Sequence, residues 1–143
     1  MQRAASAREL ELKEAAERRG MQAETLVEIV ERKPRPNGRY IVLGDMNDTP
    51  TSKPLESFTE LVNGLKQVEE RGGTPNFGDT PPPNKRWTHR FKESGQPPAY
   101  ELFDQVWLSP KLAKRQSGAF ILRRTKVTRD GTDHDPAWVA LDL

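Results

Sequence analysis

The chain has 143 residues, enough for one domain of ordinary size with a single core. Its 34% hydrophobic and 31% charged content implies a thin core or a part of something larger, and a net charge of +2 gives no strong overall bias. The absence of cysteine excludes a disulfide framework and thiolate chemistry, and no apolar run approaches a membrane span.

The N-terminus has charges but no apolar signal-peptide region, so a cytoplasmic location is expected if the chain is complete as given. Residues from about Ala4 to Lys33 are rich in strong helix formers. Ala23, Leu26, Val27 and Val30 make an apolar stripe at helical spacing. The first part, up to about residue 17, is weakly amphipathic and reads as exposed or frayed. Gly20 costs about 1 kcal/mol relative to Ala in a helix interior, which predicts two helices or a kink. Seven basic and seven acidic residues balance from Met1 to Lys33, so this element is assigned to scaffold.

Pro34 to Gly38 reads as a turn. Tyr40 to Leu43 is an apolar run that ends in Gly44 and then Asp45-Met46-Asn47-Asp48-Thr49-Pro50. Two readings are open there. A buried strand delivers polar side chains to its C-terminal edge, where α/β folds bind ligands, or an ordinary Asx-rich turn follows a strand. Ser52 and Pro54 mark a helix start, with Leu55, Phe58, Leu61, Val62 and Leu65 at helical spacing that Asn63-Gly64 ends or interrupts. Gly72 to Asn84 reads as a loop.

Arg86 to Phe91 is a predicted strand with Trp87, His89 and Phe91 on one face. Lys92 to Ala99 is a second loop. Leu102 to Leu108 is a strand that sets Asp104 on the face of Val106 and Leu108, where a carboxylate needs a partner. A short turn or helix spans Lys111 to Arg115, and a strand spans Gly118 to Leu122. Arg123 to Gly131 is a basic loop, and Ala137 to Leu141 is the last strand. Between Lys85 and Arg129 there are eleven basic residues against Glu93, Glu101 and Asp104. That imbalance fits a polyanionic substrate or a solvated basic face.

Three strand ends thus carry acid, amide and imidazole groups: Asp45 with Asn47, Asp104, and Asp133 with His134. A histidine beside a carboxylate fixes a tautomer. Several carboxylates at one sheet edge suit a hard, oxygen-preferring cation such as Mg2+ or Mn2+. With no Cys and only His89 besides His134, a structural zinc site is not expected. No Gly-x-Ser-x-Gly elbow and no Gly-rich phosphate loop is present.

The run Ile41-Val42-Leu43-Gly44-Asp45-Met46-Asn47 resembles the Gly-Asp-Phe/Met-Asn signature of the endonuclease/exonuclease/phosphatase superfamily. Phe103-Asp104-Gln105-Val106-Trp107-Leu108-Ser109 resembles its penultimate strand. Thr132-Asp133-His134-Asp135-Pro136 resembles its terminal Ser-Asp-His-x-Pro motif, with Thr132 for the usual Ser. Arg19 to Leu26 resembles the helix that precedes the first motif. The motifs follow the family's order, and the resemblance covers about residues 18 to 143.

The resemblance implies roles. Asp45 would position or deprotonate the attacking water, and Asn47 would hold a phosphate oxygen of the substrate. His134 would bind or protonate the phosphate, with Asp104 orienting it. Asp133, with Asp45, would hold Mg2+ or Mn2+. Trp87 resembles an aromatic near the substrate pocket, and a plain core role fits it equally. His89 has no motif match and reads as structural or surface, while Asp48 and Asp135 have turn-forming explanations. The implied fold is α/β, an α+β sandwich. It is half of a four-layer αββα DNase I-like fold, with a mixed, mostly antiparallel sheet and helices on one face.

Only the C-terminal half of that fold is matched, without the family's N-terminal Asn and metal-binding Glu. The expectation is therefore one half-domain, residues 1–143, that is a fragment of a longer protein or whose bare sheet face pairs with a copy of itself or with a separate N-terminal half. The implied activity is metal-dependent phosphodiester hydrolysis with nucleic acid as substrate. The alternatives are a non-catalytic nucleic-acid-binding or assembly module, or a phosphatase or phospholipase acting on lipid or inositol phosphates.

Overall fold

Helix α1, Ala7–Arg32, opens with a reciprocal cap. The Ser6 amide donates to Glu9 Oε2 at 2.6 Å and the Glu9 amide donates to Ser6 Oγ at 3.3 Å, which satisfies two amides that a helix start leaves unpaired. The computed structural model describes residues 6–32, 38–73, 77–124 and 132–143. Contrary to the expectation of two helices, α1 runs unbroken through Gly20. Gly20 lies against Pro54, 3.8 Å from its carbonyl oxygen at the position a Cβ would take, so tertiary packing offsets the propensity cost. Ala23 is buried, and Leu26, Val27 and Val30 pack with it on Val42, Leu55, Phe58, Leu61 and Trp107. Leu10 and Leu12 stay exposed, as the weak amphipathicity of the first half predicts.

Strand β1, Ile41–Asp45, and β2, Val62–Asn63, flank the central strand β6, Asp104–Leu108, both antiparallel to it. The register pairs Val42 with Trp107, Leu43 with Val106 and Asp45 with Asp104. Pairs in register share a face. Trp107 therefore points with Val42 into the α1 core, its ring 5.3 Å from Phe58. Val106 and Leu108 point the opposite way, into a second cluster with Leu65, Leu112, Ala119 and Ile121.

The helix expected through Leu65 is instead a 3-10 helix, Lys53–Glu60, followed by β2. Leu55, Phe58 and Leu61 recur every three residues, the period of that tighter helix. Leu61 then turns extended (φ −95°, ψ 155°) and the Gly64 amide donates to the Val106 carbonyl at 2.7 Å. Val62, a β-branched residue of high strand propensity, pairs with Leu108 of β6 and stays exposed.

A second sheet holds β3, Glu69–Gly72, parallel to β7, Gln116–Arg123, which pairs antiparallel with β8, Ala137–Leu141. No hydrophobic pattern announces β3, whose four residues are all exposed. It is held by its ladder and by Glu70, which accepts from Arg123 Nη2 at 2.6 Å. Gly72 is required there: its φ is +89°, and a Cβ would lie 2.5 Å from the Arg123 carbonyl oxygen.

The predicted strand over 86–91 is shorter. Strand β4 is His89–Phe91, paired with β5, Ala99–Glu101, and Trp87 and Thr88 are buried ahead of it. Asp79 fastens the long loop to this hairpin, accepting from Tyr100 Oη at 2.6 Å and from Arg90 Nη2 at 2.5 Å. The short helix α2, Pro110–Ala113, follows Ser109 as expected, but it packs Leu112 on the β7 side. The fold is thus α/β with mostly antiparallel pairing. The β6 face away from α1 is covered by β7 and β8 at Val106 and Leu108. It is open at Ile41 and Leu43, the latter 67% exposed. Most of the basic loop expected over Arg123 to Gly131 lies outside the described residues, while Arg123 itself ends β7 and is buried.

Candidate active site

Register delivers the first two carboxylates. Asp45 ends β1 and Asp104 begins β6 directly opposite it, so both stand at one sheet edge on one face. Gly44 just before Asp45 has φ +147°, a conformation that favours glycine. Past the strand, Asn47 takes φ +50° and its amide donates to Asp45 Oδ1 at 2.8 Å. This Asx turn fixes one carboxylate oxygen and leaves Oδ2 directed at the site.

The third segment enters just before β8. His134 is bridged to His89 of β4 by an isolated antiparallel pair, and its amide donates to Thr132 Oγ1 at 3.1 Å. The Asp135 amide donates to the Thr88 carbonyl at 2.6 Å. Asp135 itself is buried, accepting from Arg123 Nη1 at 3.0 Å and from Arg124 Nε at 3.0 Å. This buried ion cluster, rather than a turn preference, locks the segment in place.

The side chains then converge. His134 Nδ1 donates to Asp104 Oδ2 at 2.6 Å. A carboxylate can only accept, so Nδ1 carries the proton. His134 Nε2 lies 3.9 Å from Asp45 Oδ2 and 3.7 Å from Asp133 Oδ1. The other Asp133 oxygen accepts from His89 Nε2 at 2.9 Å. Thr88 Oγ1 accepts from the Asp104 amide at 3.0 Å, which ties the start of β6 to the segment leading into β4.

Electrostatics follows the geometry. Burial works to lower the His134 pKa and is its largest single influence. The hydrogen bond to Asp104 and the charges of Asp104, Asp45 and Asp133 together outweigh it, so the imidazolium is favoured above its ordinary value. The Asp133 carboxyl is held below its ordinary range, first by the hydrogen bond from His89.

Asp45, Asp104, Asp133 and His134 are therefore brought together, and Asn47 is tied to Asp45 through its amide. Trp87 is placed elsewhere. It is 3% exposed, with Arg123 Cζ 3.8 Å over its ring and Tyr100 edge-on at 4.9 Å, so it serves the core. Asp48 binds Arg19 of α1 at 3.0 Å and supports the turn after β1. His89, read from the sequence as structural or surface, belongs to the cluster. Its ring stacks on Phe103 and lies 4.6 Å from that of His134. Its alternation with Trp87 and Phe91 was visible in the sequence, but the bridge that sets it beside His134 is not a local feature.

The donor set can do two things. An imidazolium flanked by carboxylates can contact a phosphoryl oxygen, and free carboxylate oxygens can hold a hard dication. No curated protein and no solved structure matches the chain. The model of the Endonuclease/Exonuclease/phosphatase family matches residues 12–134, from α1 through the histidine at the centre of the cluster. The chain belongs to the endonuclease/exonuclease/phosphatase family.

Proposed function

We propose that this chain is the C-terminal half of a divalent-metal-dependent phosphodiesterase whose substrate is nucleic acid. The observation that carries this reading is the Asp104–His134 pair, with Nδ1 anchored at 2.6 Å and Nε2 turned toward Asp45 and Asp133. Asp45 positions and deprotonates water for attack on phosphorus through Oδ2. Asn47 holds a non-bridging oxygen. His134, kept protonated, donates from Nε2 to the phosphoryl group, where charge builds up in the transition state.

The oxygen donors fit a hard cation, Mg2+ or Mn2+. Asp45 Oδ2 and Asp133 Oδ1 both face the space beside His134 Nε2. Such a cation, when bound, neutralises charge on the phosphoryl oxygens. The exposed basic residues Lys66, Lys85 and Arg86 favour a polyanion, with Lys85 already paired with Glu101 at 3.2 Å and Arg86 donating to the Lys66 carbonyl. The basic excess counted from the sequence is smaller at the surface, because Arg90, Arg123 and Arg124 are bound to Asp79 and Asp135.

The open patch at Ile41 and Leu43 supports the half-domain reading. It borders a groove that runs from Val139 and Leu141 to Asp104 and His134. The proposed occupant is an N-terminal half that carries the missing metal-binding carboxylate. The test is relaxation of supercoiled plasmid with Mg2+, by the chain alone and with an N-terminal half added. Cleavage should appear on addition of that half and fall by about 10²–10⁴-fold in Asp45→Asn and His134→Gln. Equal cleavage by wild type and both variants overturns the reading.

A further inference from the structure

The chain has two histidines and no cysteine, and both histidines lie in one cluster. We propose that His89, His134 and Asp133 form a binding site for a borderline first-row dication such as Zn2+. This site shares Asp133 with the oxygen ligands proposed for Mg2+ and differs from them by its two imidazoles. The ligand atoms of the three residues all lie within 4.8 Å of one another. A tetrahedral ion with bonds of about 2.1 Å needs donors roughly 3.4 Å apart. Asp133 Oδ2 stands 2.9 Å from His89 Nε2 and its other oxygen, Oδ1, stands 3.7 Å from His134 Nε2, on either side of that spacing. Asp133 is 70% exposed, so it is free to turn onto an ion.

Two further features point to a ligand. His134 Nδ1 is already committed to Asp104, the arrangement in which a carboxylate fixes a histidine so that Nε2 presents its lone pair to a metal. The His89 ring is held by Phe103 at 5.4 Å and by its strand, so its Nε2 stays aimed at the cluster. His89 now donates from Nε2 to Asp133. Binding the ion moves that proton to Nδ1, or releases it if the ring is charged, and it also releases the Nε2 proton of the His134 imidazolium, so that a nitrogen lone pair takes the place of each proton. Asp45 Oδ2, 3.9 Å from His134 Nε2, stands outside the three donors that lie within 4.8 Å of one another, so the fourth position is left to solvent. Two imidazoles in the set favour Zn2+, Fe2+ or Ni2+ over Mg2+ and Mn2+, which prefer oxygen. An ion so held engages His134 Nε2, the atom the proposed hydrolysis directs at the phosphoryl group. The two uses of the histidine therefore exclude each other.

The test uses the tag-free chain and needs no substrate, so it is independent of whether the chain hydrolyses phosphodiesters. Calorimetric titration with Zn2+ should give one ion per chain. His89→Gln should weaken it at least about 10-fold, and Asp104→Asn by about 10–100-fold. On the wild type, nitrogen-15 spectra of the imidazoles should show both Nε2 resonances moving to metal-coordinated shifts as Zn2+ is added, whereas Mg2+, held by carboxylate oxygens, should leave both nitrogens uncoordinated. Unmoved Nε2 resonances at saturating Zn2+ overturn the proposal, as does a folded His89→Gln variant that binds Zn2+ like wild type. The spectra are recorded on the wild-type chain, so they test the site even where a variant fails to fold.

Discussion

Asp104 Oδ2 accepts the Nδ1 proton of His134 across 2.6 Å, although the two residues are 30 positions apart in sequence. The contact exists because Asp104 is the first residue of β6 and His134 is pinned against β4, two backbone placements made by different ladders.

Asp104→Asn keeps the size of the side chain but presents an amide that pairs with either histidine tautomer. It should lower metal-dependent cleavage by the reconstituted protein by about 10²-fold. It should also lower the His134 titration midpoint, read from the imidazole proton resonance. An unchanged midpoint would mean that Asp104 does not govern the histidine.

The pH dependence has a defined sign. The folded pKa of His134 is raised above its ordinary 6.5, so its contribution to stability is complete below that value and is lost as pH rises through the folded pKa. Asp133 is lowered from 3.8, so its contribution is present above that value and is lost as pH falls through the lower folded pKa. Urea unfolding of wild type and His134→Gln should therefore differ more at pH 6 than at pH 9. A difference that grows toward alkaline pH contradicts the assignment.

Arg123 has a 3% exposed side chain and binds Asp135, Glu70 and the Trp87 carbonyl. Arg123→Met removes the cation and leaves the buried Asp135 carboxylate with Arg124 alone. It should cost about 3 kcal/mol of stability by chemical denaturation. The Asp133-His134 segment should loosen with it, seen as faster amide exchange at His134. A loss below about 1 kcal/mol would show that Arg124 suffices.

Leu43 is 67% exposed on the open face, so Leu43→Glu should change the stability of the isolated chain by less than about 0.5 kcal/mol. The same change should abolish reconstitution with an N-terminal half, measured by sedimentation. Self-association of the chain that Leu43→Glu removes would instead identify a second copy as the occupant.

Much of this was legible in the order of residues. The apolar run before Gly44-Asp45 gave β1, the stripe Ala23, Leu26, Val27 and Val30 gave the buried side of α1, and Ser109-Pro110 gave the start of α2. The three acidic strand ends carried the family resemblance. What failed was local inference without partners. Gly20 suggested a break that packing on Pro54 removes, and Leu61 to Leu65 suggested a helix where Val62 and Asn63 instead pair with β6. Charged Glu69 to Gly72 gave no strand signal at all, because β3 is held by its ladder and by Arg123 rather than by burial.

The sequence by itself determined which groups are available: three strand-end carboxylates, two histidines, no thiol, and strand periods that place Asp104 on an apolar face. Those properties are local, since side-chain chemistry and alternation need no distant contact. Only the tertiary structure decided which groups meet. It sent Trp87 into the core beneath Arg123 and drew His89 to Asp133 and His134. It also set Asp45 opposite Asp104, a pairing of residues 59 positions apart that is fixed by antiparallel register and by the buried faces on either side of β6.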